Sequence, residues 1–147
     1  NSNFIKLNSL PTYYKDAVVS VEDRRFYSHG TIDFIALARA TFSNIKQKDF
    51  KEGGSTSTQQ TAKNLYLIKE KDVSNRKVAE FLIGRDLEKK YNKDEILELY
   101  VNTIYFGDGY YGIQEASKGY FNKDAKPQCL LVFQMLLAFT LQQSPFI

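Results

Sequence analysis

Apolar residues in this chain recur every three or four positions almost from end to end, and no segment reads as a confident strand. That period constrains the fold more than any other feature. It predicts an all-α domain, with room for one short hairpin over residues 104–112. A first helix is expected from Pro11, a residue suited to an initial helical position, with Tyr14, Ala17, Val18 and Val21 on one stripe and Glu22 at its end. A second follows Thr31 and carries Phe34, Leu37, Ala38, Phe42 and Ile45 at apolar spacing, with Arg39 beside them, before the polar stretch 46–52. A third starts after Gly53-Gly54. Ser74 is the expected cap of a fourth helix that reaches about Lys90 and turns Val78, Phe81 and Leu82 inward. Asn92 is the expected cap of a fifth, with Ile96, Leu97, Tyr100 and Val101 as its buried stripe. The glycine-rich loop 106–112 ends it, and two more helices are expected, over about Ile113–Tyr120 and from near Pro127.

A chain of 147 residues is most simply one domain, 1–147, able to bury a core without staples. Its 20 Lys and Arg against 17 Asp and Glu leave a net charge of +3, too little to argue for nucleic acid. The lone Cys129 has no internal disulfide partner, and with the lone His29 it builds no His/Cys zinc site; a divalent cation held by carboxylates stays open. No signal peptide or spanning helix is read. The longest apolar run, Cys129–Leu141, is interrupted by Gln134 and Thr140 and falls short of the roughly 20 residues a bilayer requires.

Chemistry concentrates in Gly53-Gly54-Ser55-Thr56-Ser57-Thr58-Gln59-Gln60-Thr61-Ala62-Lys63-Asn64, a glycine turn running into a polar helix start. The Ser/Thr run supplies N-caps, and exposed amides at a helix N-terminus attract anions. Ser55, Gln59 and Lys63 are four apart and are expected on one helix face; Lys71, Arg76 and Lys77 follow, so the anion expected here carries more than one charge. A pyrophosphate fits. A Walker A loop does not, because no Gly-Lys-Ser/Thr follows the glycines at the required spacing. Taken alone, such a turn is more often a capped surface helix with solvated lysines.

Two carboxylates complete the pattern. Glu22 opens Glu22-Asp23-Arg24-Arg25-Phe26-Tyr27-Ser28-His29, where an apolar helix face gives way to a polar, aromatic turn. Partial burial there raises a carboxyl's pKa and makes it a usable base; the plainer account is a helix-end salt bridge to Arg24 or Arg25. His29 reads as a residue that fixes its loop. Glu80, one turn beyond Arg76 and Lys77, is a poor general acid because neighbouring cations keep it ionised, and an i,i+4 surface pair is its plainer reading. Together, a poised base, a carboxylate among cations and a phosphate cradle suit a sugar transfer in which pyrophosphate leaves, since a charged leaving group needs stabilisation more than protonation.

In these residues the chain resembles the peptidoglycan glycosyltransferases, the transglycosylase modules of bifunctional penicillin-binding proteins and of monofunctional cell-wall enzymes. The resemblance spans about Leu10–Pro145 and rests on five ordered motifs. They are Glu22–Tyr27 with His29; Gly53–Thr56 with Gln59, Gln60, Lys63 and Asn64; Arg76-Lys77 with Glu80; Lys93–Asn102; and Gly112-Ile113 with Ala116, Tyr120, Phe121 and Lys123. It implies a lysozyme-like helical fold that polymerises lipid II into β-1,4 glycan at the outer face of the cell membrane and releases undecaprenyl pyrophosphate. By motif, Glu22 is then the base on the acceptor hydroxyl, and Glu80 assists the pyrophosphate directly or through magnesium or manganese. Lys63, Arg39 and Arg76 contact phosphate, with Lys71 and Lys77 as further cations; Ser55, Gln59 and Gln60 line the cleft. No organic cofactor and no nucleic acid are implied, whereas a membrane surface, a lipid-linked glycan chain and a transpeptidase domain or partner are. The family's membrane anchor and any transpeptidase domain are not recognised in the sequence, so an excised module is expected. Ser57, Thr61 and the order Gly30-Thr31 depart from the family pattern and bear on substrate geometry more than on reaction class. The competing readings are a lysozyme-like hydrolase of finished glycan and a non-catalytic lipid-binding module.

Overall fold

The structure is a computed structural model that describes residues 3–47, 54–67 and 72–126, with 134 and 138. Gly53, Lys71, the helix expected from Pro127 and most of the apolar run from Cys129 lie outside the described residues. Six α-helices are present among those described: α1 (Thr12–Glu22), α2 (Phe34–Gln47), α3 (Ser57–Tyr66), α4 (Val73–Lys90), α5 (Lys93–Thr103) and α6 (Ile113–Phe121). Short 3-10 turns at Leu7–Ser9 and Phe26–Ser28 join them. The all-α expectation holds.

Caps decide where the helices begin. Pro11 stands at the N-cap of α1 with φ −60°, already set for the turn that follows. The Asp33 carboxylate accepts from the amides of Ile35 and Ala36, both at 3.0 Å, and so starts α2 two residues after the expected Thr31. Asp72 rather than Ser74 caps α4, accepting from the amides of Ser74 and Asn75 at 2.9 and 3.2 Å. Asn92 caps α5 as expected, in a reciprocal box with Glu95. The hairpin is reduced to one antiparallel bridge, Tyr105 to Tyr111. Gly112 closes it at φ +83°, where an added Cβ would fall 2.3 Å from the Asn102 carbonyl oxygen.

The main core joins Tyr14 and Val18 of α1, Phe26 of the turn, the stripe Ile96, Leu97, Tyr100 and Val101 of α5, and Ile113 and Ala116 of α6. A second layer is built differently. α3 packs against both α4 and α5 through small or polar residues, Ser57, Thr58, Thr61 and Ala62, and Gly84 of α4 sits against Thr58. This overturns one expectation: Val78 and Leu82 point outward, 61% and 51% exposed, while Glu80, Gly84 and Leu87 form the inward face of α4. Gly84 suits that face because a Cβ there would fall 2.8 Å from the Thr31 methyl and 3.5 Å from that of Thr58.

Candidate active site

Glu22 ends α1 with its side chain turned into the protein, only 5% exposed. Burial is the main reason its pKa lies above the ordinary carboxylate value, and the neighbouring charge of Asp23 adds to the rise. Hydrogen bonding from Gln60, whose Nε2 lies 3.4 Å from Oε2, and from the Tyr100 side acts the other way without cancelling it. The Tyr100 hydroxyl is buried beside this carboxyl and forms no hydrogen bond of standard geometry; burial, then the charge of Glu22, pushes its own pKa well up. The helix-end salt bridge considered for Glu22 is not formed: Arg25 pairs instead with Asp33, at 3.3 Å.

Glu22 opens onto a cavity of about 270 Å³ that Arg39 of α2 and Gly54, Ser55 and Thr56 of the glycine turn also line. The buried carboxyl, Arg39 and the turn therefore share one space, with Arg24 and Arg25 also on its wall. Thr56 caps α3: its hydroxyl accepts from the Gln59 amide while the Gln59 side chain accepts from the Thr56 amide. Two expectations change as a result. Ser55 precedes α3, so it shares no helix face with Gln59 and Lys63, and the carbonyl oxygen of the Gln59 side chain is engaged in the capping box. Its Nε2 amide remains for other partners in the cleft.

Glu80 is 1% exposed, and the surface-pair reading fails. Lys77 Nζ donates both to Glu80 Oε2 and to the Ser55 hydroxyl, each at 2.7 Å, and Arg76 Nε lies 3.4 Å from Oε1. A chain of contacts thus runs from the cavity wall at Ser55 through Lys77 to the buried carboxylate and Arg76. Both Glu80 oxygens face cations and no second carboxylate joins them among the described residues. Magnesium and manganese sites are built from oxygen ligands, so this donor set does not fit a resident divalent ion at Glu80. One group of three ligand atoms, from Asp23, His29 and Asp33, does lie within 4.8 Å of one another. Its oxygens already accept from Ser57, Ile35 and Ala36 amides and from His29, which makes it a closed network.

The structure thus brings Glu22, Arg39, Ser55 and Gln60 together, and links Lys77, Glu80 and Arg76 to them through Ser55. Lys63 is exposed on α3 and does not line the cavity. Asp23 and Tyr100 were not singled out from sequence; the position of Tyr100 on the buried stripe of α5, which packs against α1, was the available signal. Of the departures from the family pattern, Thr61 satisfies its hydroxyl within α3 by donating to the backbone carbonyl of Ser57 at 2.8 Å.

The profile of the family described as Transglycosylase matches residues 1–146. The chain is 43% identical over 145 residues to penicillin-binding protein 4 of Bacillus subtilis, which covers 99% of this chain and 23% of that protein. It is 45% identical over 126 residues to penicillin-binding protein 1F of the same organism, covering 86% of the chain and 18% of the relative. Against a monofunctional glycosyltransferase of Staphylococcus aureus it is 43% identical over 120 residues, 82% of the chain and 44% of the relative. The chain spans less than half the length of each of these relatives. With an ordered set of motifs, a helical fold and a profile match along nearly its whole length, the chain belongs to the transglycosylase family.

Proposed function

We propose that this domain is a peptidoglycan glycosyltransferase that joins lipid-linked disaccharide units into a β-1,4 glycan and releases the lipid pyrophosphate. The observation that carries the reading is the buried Glu22 carboxyl, with its raised pKa, opening onto the same cavity as Arg39 and the glycine turn. Glu22 takes the proton of the acceptor hydroxyl, the hydroxyl oxygen bonds to the donor's anomeric carbon, and the bond from that carbon to the pyrophosphate oxygen breaks with its electron pair. Arg39 receives the negative charge that develops. Lys77 and Arg76, anchored on Glu80, extend the positive wall beyond Ser55, and Lys63 lies further along α3. This also weighs against hydrolysis of finished glycan, which calls for a carboxylic acid at the leaving oxygen, whereas both Glu80 oxygens face the cations Lys77 and Arg76.

The substrate's lipid calls for a membrane surface. Phe34 and Phe42 on α2 are each 73% exposed, Ile35 and Leu37 are exposed with them, and Arg39 stands on the same helix. We take this face to lie in the membrane interface at the extracytoplasmic side, apolar rings inward and the cation at headgroup level. No helix among the described residues is long and apolar enough to cross a membrane. Supplied with lipid-linked disaccharide, the protein is expected to yield polymer and free lipid pyrophosphate, and supplied with finished glycan alone, to yield nothing. Cleavage of finished glycan without any lipid-linked donor favours the hydrolase, and binding of the lipid without turnover favours the non-catalytic module.

A further inference from the structure

We infer that Asp23 and His29 are positioning residues that bolt the end of α1 to the N-terminus of α3 and so fix where the Glu22 carboxyl stands against the cavity. This rests on the reading of Glu22 as the base. Asp23 follows Glu22 directly and is itself buried. Its Oδ2 accepts from the Ser57 amide at 3.0 Å, at the first residue of α3, and its Oδ1 meets His29 Nε2 at 2.6 Å. The other ring nitrogen, Nδ1, faces the Gly30 carbonyl at 2.5 Å. Both ring nitrogens are thus engaged, one by the Asp23 carboxylate and one by the Gly30 carbonyl, which fixes the plane of the ring. Asp33 lies 4.0 Å from the same Nε2, pairs with Arg25 and caps α2. One buried network therefore ties together α1, the Phe26–Ser28 turn, α2 and α3.

The placement gives the network its consequence. Gln60, the α3 partner of Glu22, sits three residues beyond Ser57, so a shift of the α3 N-terminus relative to α1 moves Gln60 and Ser55 away from the carboxyl together. Apolar packing does not hold this junction. α3 offers it Ser57, Thr58 and Thr61, small polar residues whose spacing is set by directed hydrogen bonds.

The test compares Asp23→Asn, Asp23→Ala and His29→Gln with the parent in turnover of lipid-linked disaccharide, with melting curves alongside. Asp23→Asn keeps the volume and an oxygen for the Ser57 amide but loses the charge on His29; Asp23→Ala loses both. The expected result is a fall in kcat of ~10- to 100-fold with little change in KM, because substrate contacts stay while the base is displaced. Asp23→Asn is expected in addition to move the acid limb of the kcat profile to lower pH, since it removes a negative charge that opposes ionisation of Glu22. The other groups facing Glu22 are unchanged in that variant: Tyr100 from α5, Gln60 from α3, and the cavity arginines Arg24, Arg25 and Arg39. A kcat within about twofold of the parent overturns the inference, as does a loss that only follows lost folded protein with the acid limb unmoved. If Asp23→Ala does not fold, Asp23→Asn decides. Glu22→Gln separates the two readings: if it still polymerises, the base assignment falls, and if it is dead while Asp23→Asn is unimpaired, only the positioning role falls.

Discussion

At the scale of single residues the site is a conflict between stability and use. Glu22 would be cheaper as a neutral side chain, since burial sets its folded pKa above that of the unfolded chain. The stability it contributes is full at pH below its unfolded pKa and is lost as pH rises through the folded value, so at neutral pH its charge weakens the fold. Glu22→Gln is therefore expected to raise the melting temperature at neutral pH while removing activity, and a lower melting temperature there would contradict the burial argument. Glu22 was legible in the sequence because it closes an apolar stripe and opens a polar turn. Asp23 was not, because its role depends on the Ser57 amide, 34 residues further along, which nothing in local spacing announces.

At the scale of elements, caps and buried faces were legible together or not at all: Asp72 rather than Ser74 caps α4, the helix whose inward face also differs from the expected one. Asn92 and the stripe of α5 were legible because a strong cap and a strong apolar period agree there. α4 misled because its apolar residues are spread around the helix, and a buried carboxylate and a glycine, which hydropathy marks as outward or neutral, choose its inward face. α3 depends on Thr56, whose hydroxyl caps the helix and donates to the Thr31 carbonyl at 2.7 Å. Thr56→Ala is expected to cost about 1–2 kcal/mol in chemical denaturation, and a change below a few tenths would remove the capping box from the account. α2 shows the reverse case: its apolar period is real, yet Phe34, Ile35 and Phe42 stay exposed among the described residues. Phe34→Ser and Phe42→Ser are expected to reduce partitioning onto phosphatidylglycerol vesicles without lowering the melting temperature. Unchanged partitioning would detach α2 from the membrane.

At the scale of the whole molecule, two packing schemes meet in one domain. A conventional apolar core fixes α1, α5 and α6, while the layer of α3 and α4 is polar and closely approached, and the cavity lies between the end of α1, α2 and the glycine turn that leads into α3. The order of motifs along the chain pointed to the family, but not to Glu80 being buried and reaching the cavity through Lys77 and Ser55, since that requires α4 to turn its charged side inward. The most direct measurement of the central claim is the pH dependence of kcat for turnover of lipid-linked disaccharide by the parent protein and by Glu22→Gln. The account predicts an acid limb above the ordinary carboxylate range in the parent and almost no turnover in the variant at any pH. Robust polymerisation by Glu22→Gln, with the same acid limb, would contradict it.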